Sequence, residues 1–169
     1  MKKVLISTLV VFIFLGIFNN ARAQKLKETT IILVRHAEKD PAGGADPDLS
    51  AEGKLRAQKL IGLFKDLKAD EMYSTPYIRT KETLKPWATK AGLEIKIYDP
   101  RNLKGFADEL KLLKGKTVVV AGHSNTTPAL ANFLLGNEKY KALDDSVYST
   151  VWILTIKDDG SITDKTIEY

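Results

Sequence analysis

The chain has no cysteine, so no disulfide can staple the fold, no thiolate can serve as nucleophile or metal ligand, and a lipid-modified cysteine anchor is excluded. It has only two histidines in 169 residues, and two histidines without a clustered acid pattern make a poor metal site. No metal or other cofactor is expected. No basic run interleaved with aromatics occurs, which leaves nucleic-acid binding with weak support. Repeats and low-complexity linkers are also missing. What remains is an ordinary globular composition, 44% hydrophobic and 28% charged, in a chain long enough for one core.

Residues 1–23 read as a secretory signal peptide rather than as part of that core. Lys2 and Lys3 open it, an uncharged apolar stretch runs from Val4 to Phe18, and Ala21-Arg22-Ala23 forms an Ala-x-Ala pattern that predicts cleavage before Gln24. About 15 apolar residues fall short of the roughly 20 that span a bilayer. We therefore expect an exported protein, periplasmic or secreted, without stable membrane insertion after cleavage, whose single domain is 24–169. Loss of Lys2, Lys3 and Arg22, with no acid among residues 1–23, takes the formal charge from +5 to +2. Much of the apparent basicity thus belongs to the signal.

The mature chain alternates short apolar runs with longer amphipathic ones, the pattern of a sheet covered by helices on both faces. Thr30–Arg35 and Thr117–Ala121 are nearly continuous in hydrophobicity, as expected of strands buried on both sides. Ser50 is placed to cap a helix whose stripe carries Ala57, Leu60, Ile61, Phe64 and Leu67. Thr75-Pro76, after a short strand at 71–74, predicts a second helix that ends near Gly92. Leu93–Tyr98 reads as a strand, the stripe from Leu103 to Leu113 as a third helix, and a fourth helix stops near Gly136. Asp159-Gly160 between strand-like runs 148–157 and 162–168 predicts a hairpin. The expected fold is α/β: a three-layer α/β/α sandwich, mostly parallel, with an antiparallel C-terminal edge hairpin.

His36 directly follows one apolar strand and His123 lies just beyond the other. In open parallel sheets ligands bind beyond the carboxyl ends of the strands, so neighbouring strands would aim both imidazoles into one crevice. A packed or surface histidine is the blander alternative for either alone. Arg35 adjoins His36, and Arg79 lies at the start of the second helix. Guanidinium forks match the oxygens of a phosphoryl group; for Arg79 the alternative is a salt bridge with Glu82 or Glu38.

These residues resemble the histidine phosphatase superfamily, which is related to phosphoglycerate mutases. The resemblance rests on Arg35-His36-Ala37-Glu38, a variant of an Arg-His-Gly-Glu signature, and on Leu49-Ser50-x-x-Gly53-x-x-Arg56-Ala57. It continues through Ser74-x-x-Tyr77-x-Arg79-Thr80-x-x-Thr83 to Gly122-His123-Ser124, in order across nearly the whole mature chain. It implies a metal-independent phosphomonoester hydrolase in which His36 attacks phosphorus to form a phosphohistidine that water then hydrolyses. Arg35, Arg79 and His123 would hold the phosphoryl oxygens. A mutase-like phosphotransferase or a non-catalytic phosphate-binding protein are the other readings.

The general acid is open. Ser124 stands where some relatives carry an aspartate, and Asp99, after the third strand, is the candidate, with a plain turn role before Pro100 as its alternative. Glu38, Asp108 or a leaving group needing no acid are the other options. Asn125 is a candidate amide donor beside His123, or a helix cap. Lys39 reads as solvated, and Tyr77 and Trp87 as packing residues. Expected partners are a phosphorylated small molecule or an envelope glycan.

Overall fold

The structure, a computed structural model, describes residues 28–169; the expected signal, residues 1–23, lies outside the described residues. Six strands and four helices follow one another as β1 (Thr29–Arg35), α1 (Ala51–Leu63), β2 (Glu71–Ser74), α2 (Ile78–Ala91), β3 (Ile95–Ile97), α3 (Leu103–Leu112), β4 (Thr117–Gly122), α4 (Thr126–Leu135), β5 (Thr150–Ile156) and β6 (Ile162–Glu168). They form a single sheet in the order β3-β2-β4-β1-β5-β6. β3, β2, β4 and β1 are parallel, while β5 runs antiparallel to β1 and pairs with β6 across the predicted hairpin. The fold class read from the sequence stands. Among the described residues no helix is long and apolar enough to cross a membrane.

The strand predicted to be buried on both sides is the centre of the molecule. Alternate residues of β1 feed two cores: Ile31 and Leu33 pack with Val118, Val120, Leu110, Leu130 and Trp152 on one face, and Ile32 and Val34 with Leu60, Met72, Leu84, Trp87 and Val119 on the other. This follows from the period-two geometry of a strand and explains the unbroken apolar run. Trp87 is a packing residue as expected, stacked on Phe64 at 5.3 Å.

Several helix ends follow local chemistry. Ser50 caps α1 through its side chain to the Gly53 amide, and Gly92 and Gly136 end α2 and α4 at φ 66° and 73°. The Thr75-Pro76 start fails: α2 begins at Ile78, with Tyr77 at the N-cap position and no side-chain cap of its own. The capping group comes from a distant loop instead, because the Asp46 carboxylate accepts from the Ile78 amide at 3.0 Å. Thr75 is thereby free for other contacts.

Candidate active site

The order β2-β4-β1 places the carboxyl ends of three parallel strands side by side. Arg35 ends β1 and His36 follows it, with the His36 amide donating to the Gly122 carbonyl at the end of β4 at 2.9 Å. His123 comes next on that neighbouring strand, and the two imidazole centroids lie 5.5 Å apart. Gly122 must be glycine, since a Cβ there would stand 2.7 Å from Thr127 Oγ1 and 2.9 Å from the Tyr98 hydroxyl. Arg79, in the first turn of α2, comes from the β2 side.

His36 is 5% exposed. Its Nδ1 lies 2.8 Å from the Ala37 carbonyl oxygen, which accepts only from a protonated nitrogen and so leaves the lone pair on Nε2. Burial lowers its pKa, and the charges of Arg79, His123 and Arg35 lower it further against the Ala37 bond, to about 4. His123 is likewise brought to about 4 by burial and by Arg79 and Arg35, with Asp46 opposing. Its Nε2 shares a 3.0 Å hydrogen bond with the Thr75 hydroxyl, which is also bonded to Thr80. Two neutral imidazoles thus stand among fixed cations at neutral pH.

The two arginines are held differently. The Arg35 guanidinium donates through one nitrogen to the Asp144 and Val147 carbonyls at 2.9 and 2.7 Å. Its face lies 4.1 Å from the Tyr148 ring centroid, and its buried Nε has no partner. Arg79 stacks over Tyr77 at 4.5 Å and meets one carboxylate, Asp46 at 3.4 Å. The anticipated pairing with Glu82 or Glu38 does not occur: Glu82 pairs with Lys85 and Glu38 with Arg56.

Asp99 is not brought to the histidines. Its carboxylate is gripped by Arg101 through Nε and a terminal nitrogen, both at 3.0 Å, and accepts from the Arg101 amide. Arg101 holds it below the usual carboxylate range, and the residue lines a hollow with Tyr73 and Phe106. The turn chemistry of Asp-Pro governs this residue. Glu38 is also occupied: burial alone would raise its pKa, but the bonds from Arg56 outweigh that and lower it. Asp108 pairs with Lys104 on the surface of α3. Asn125 occupies the N-cap position of α4 without a side-chain cap bond, and its exposed side chain lines the cleft with Tyr77, Arg79, Pro100, Arg101, His123 and Thr126. Lys39 is exposed, bridged to Leu49 through its backbone only.

Three residues of the site were not singled out for it from the sequence. Tyr77, read as packing, stands edge-on to His123 at 5.0 Å. Tyr148 lies over Arg35 and 6.0 Å from the His36 ring. Asp46 reaches both the α2 amide and Arg79. Among the described residues no group of three or more His, Asp or Glu is gathered in a way that would hold a metal ion.

Paired histidines and arginines at the carboxyl ends of the parallel strands define an α/β protein with a cationic site suited to an oxyanion. The model of the histidine phosphatase superfamily (branch 1) matches residues 31–101 of the chain. Its fold is similar to that of a mycobacterial glucosyl-3-phosphoglycerate phosphatase, with a TM-score of 0.68 and 14% identity over 85% of this chain and 99% of that one. A phosphoserine phosphatase from Entamoeba histolytica, in complex with 3-phosphoglyceric acid, gives 0.66 and 16% over 83% and 97%. A putative phosphohistidine phosphatase SixA from Agrobacterium tumefaciens gives 0.62 and 18% over 83% and 98%. No curated protein sequence matches the chain.

Proposed function

We propose that this protein is a phosphomonoester hydrolase that works through a phosphohistidine on His36. The observation that carries the reading is the locked tautomer: with Nδ1 engaged by the Ala37 carbonyl, Nε2 keeps its lone pair beside His123 and within the field of Arg79 and Arg35. Nε2 attacks phosphorus as the bond to the leaving oxygen breaks, and that oxygen takes its proton from solvent. Arg79, the unpaired Nε of Arg35 and His123 stabilise the equatorial oxygens, and His123 becomes a donor by taking up a proton beside the dianion. Water then attacks the phosphohistidine, releases phosphate and restores His36. No step calls for a metal.

The test is hydrolysis of p-nitrophenyl phosphate by the purified protein across pH 4–8 with a chelator present, beside His36→Ala. Release that persists in chelator and disappears in the variant supports the reading; turnover undiminished in His36→Ala overturns it. We further propose export with cleavage before Gln24, supported by the apolar 4–18 run and the Ala-x-Ala pattern. An intact amino terminus on the protein recovered from cells would refute it.

A further inference from the structure

Beyond the two histidines the cleft continues to a second cation. Arg101 lines it together with Tyr77, Pro100 and Asn125, and the Tyr77 ring bridges the distance, edge-on to His123 at 5.0 Å and 4.5 Å under the Arg79 guanidinium. The guanidinium of Arg101 is exposed on the rim of the cleft, its side chain 89% accessible, but it is paired. Asp99, two residues earlier, takes the edge formed by Nε and one terminal nitrogen, each at 3.0 Å, and its Oδ1 also accepts the Arg101 amide, which fixes the turn that presents the side chain. The remaining terminal nitrogen has no protein acceptor among the described residues.

Building on the reading of a phosphatase site at His36, we propose that Arg101 is a specificity residue that recognises a second acidic group, carboxylate or phosphate, on the leaving-group side of the substrate. A phosphoryl group held at Arg79 and His123 leaves the rest of a small substrate running along Tyr77 toward Arg101, whose free terminal nitrogen is a further donor for a second anionic end. An oxyanion there is matched by a guanidinium already oriented by Asp99, and less side-chain freedom is lost on binding than for an unrestrained arginine. This also gives Asp99 a function: it is a positioning residue for Arg101.

The test uses matched pairs that differ only in the second charge. O-phosphoserine against O-phosphoethanolamine probes a carboxylate, and propane-1,3-diyl bisphosphate against propyl phosphate probes a phosphate. The wild type is expected to favour the more acidic member of at least one pair in kcat/KM, and Arg101→Ala to reduce that preference about fivefold, chiefly through KM. The same pairs titrated calorimetrically into His36→Ala, which cannot turn over, should show the matching loss of affinity on adding Arg101→Ala. Which pair responds identifies the anion. Equal effects of Arg101→Ala on both members of each pair, or a variant that only lowers the unfolding temperature, would reduce Arg101 to a turn staple and overturn the proposal. Charge discrimination in the calorimeter without turnover by the wild type would instead count against the hydrolase reading alone.

Discussion

The depressed pKa values of the two histidines can be read directly, because the chain has no others. Each is brought from 6.5 to about 4, chiefly by burial and then by the arginine charges. At pH 6 an imidazole titrating at 4 is about 1% protonated, against roughly three-quarters for one at 6.5. For buried His36 the drop corresponds to roughly 3 kcal/mol against the imidazolium. The sign follows from proton counting. Between pH 6.5 and about 4 the unfolded chain binds a proton that the native state refuses, so stability is full above 6.5 and is lost as pH falls through that window. Imidazole proton resonances followed by NMR from pH 3.5 to 8, assigned with His36→Ala and His123→Ala, should show both midpoints well below 5.5. Adding inorganic phosphate should move His123 upward, since a dianion favours its charged form. Midpoints near 6.5 in the free protein would refute the burial argument and, with it, the neutral nucleophile.

Gly53→Ala should destabilise by about 1–3 kcal/mol in urea unfolding, because its Cβ would collide with the Glu38 backbone carbonyl behind the His36 loop; an unchanged midpoint would contradict this packing. Arg56→Ala should cost about 3 kcal/mol by the same measurement, since it strands Glu38, whose side chain is 14% exposed, and Arg56→Ala with Glu38→Gln should cost less than Arg56→Ala alone. Thr75→Val should lower stability by about 1 kcal/mol and kcat by about tenfold, as it removes the hydroxyl bonded to His123 Nε2; normal kcat would make that bond incidental.

Much of the fold was legible because the relevant signals are local. An apolar run that feeds two cores is recognisable without knowing what fills them, and Ser50, Gly92 and Gly136 act on amides and carbonyls within a few residues of themselves. The two histidines were legible for the same reason, each lying at the end of such a run. The failures share the opposite property. The start of α2 depends on Asp46, 32 residues away from Ile78. Tyr148 lies in the stretch between α4 and β5, and its place is fixed by Arg35 bonding to carbonyls more than 100 positions along the chain. No spacing rule reaches that far. Asp99 failed for a different reason: a local turn with Arg101 claimed a carboxylate that its position after β3 had made attractive for catalysis.

The different restraint of the two site arginines shows how the fold divides its work. Arg35 is 3% exposed, burial lowers its pKa, and its hydrogen bonds go to main-chain carbonyls of the 144–147 stretch. It therefore organises the wall that carries Tyr148 before any ligand arrives. The price is its Nε, buried without a partner, a polar group whose desolvation is recovered only when an oxyanion comes within reach. Arg79 has one carboxylate at 3.4 Å, and that carboxylate is already committed to the α2 amide, so a phosphoryl group can replace it at Arg79 without uncapping the helix. Arg35, whose one carboxylate contact is the exposed Asp145 at 3.6 Å, supplies rigidity and a waiting buried donor, while Arg79 supplies an exchangeable charge. On the proposed phosphatase reading, a site that binds a dianion tightly enough to transfer it, and then releases phosphate, needs both kinds.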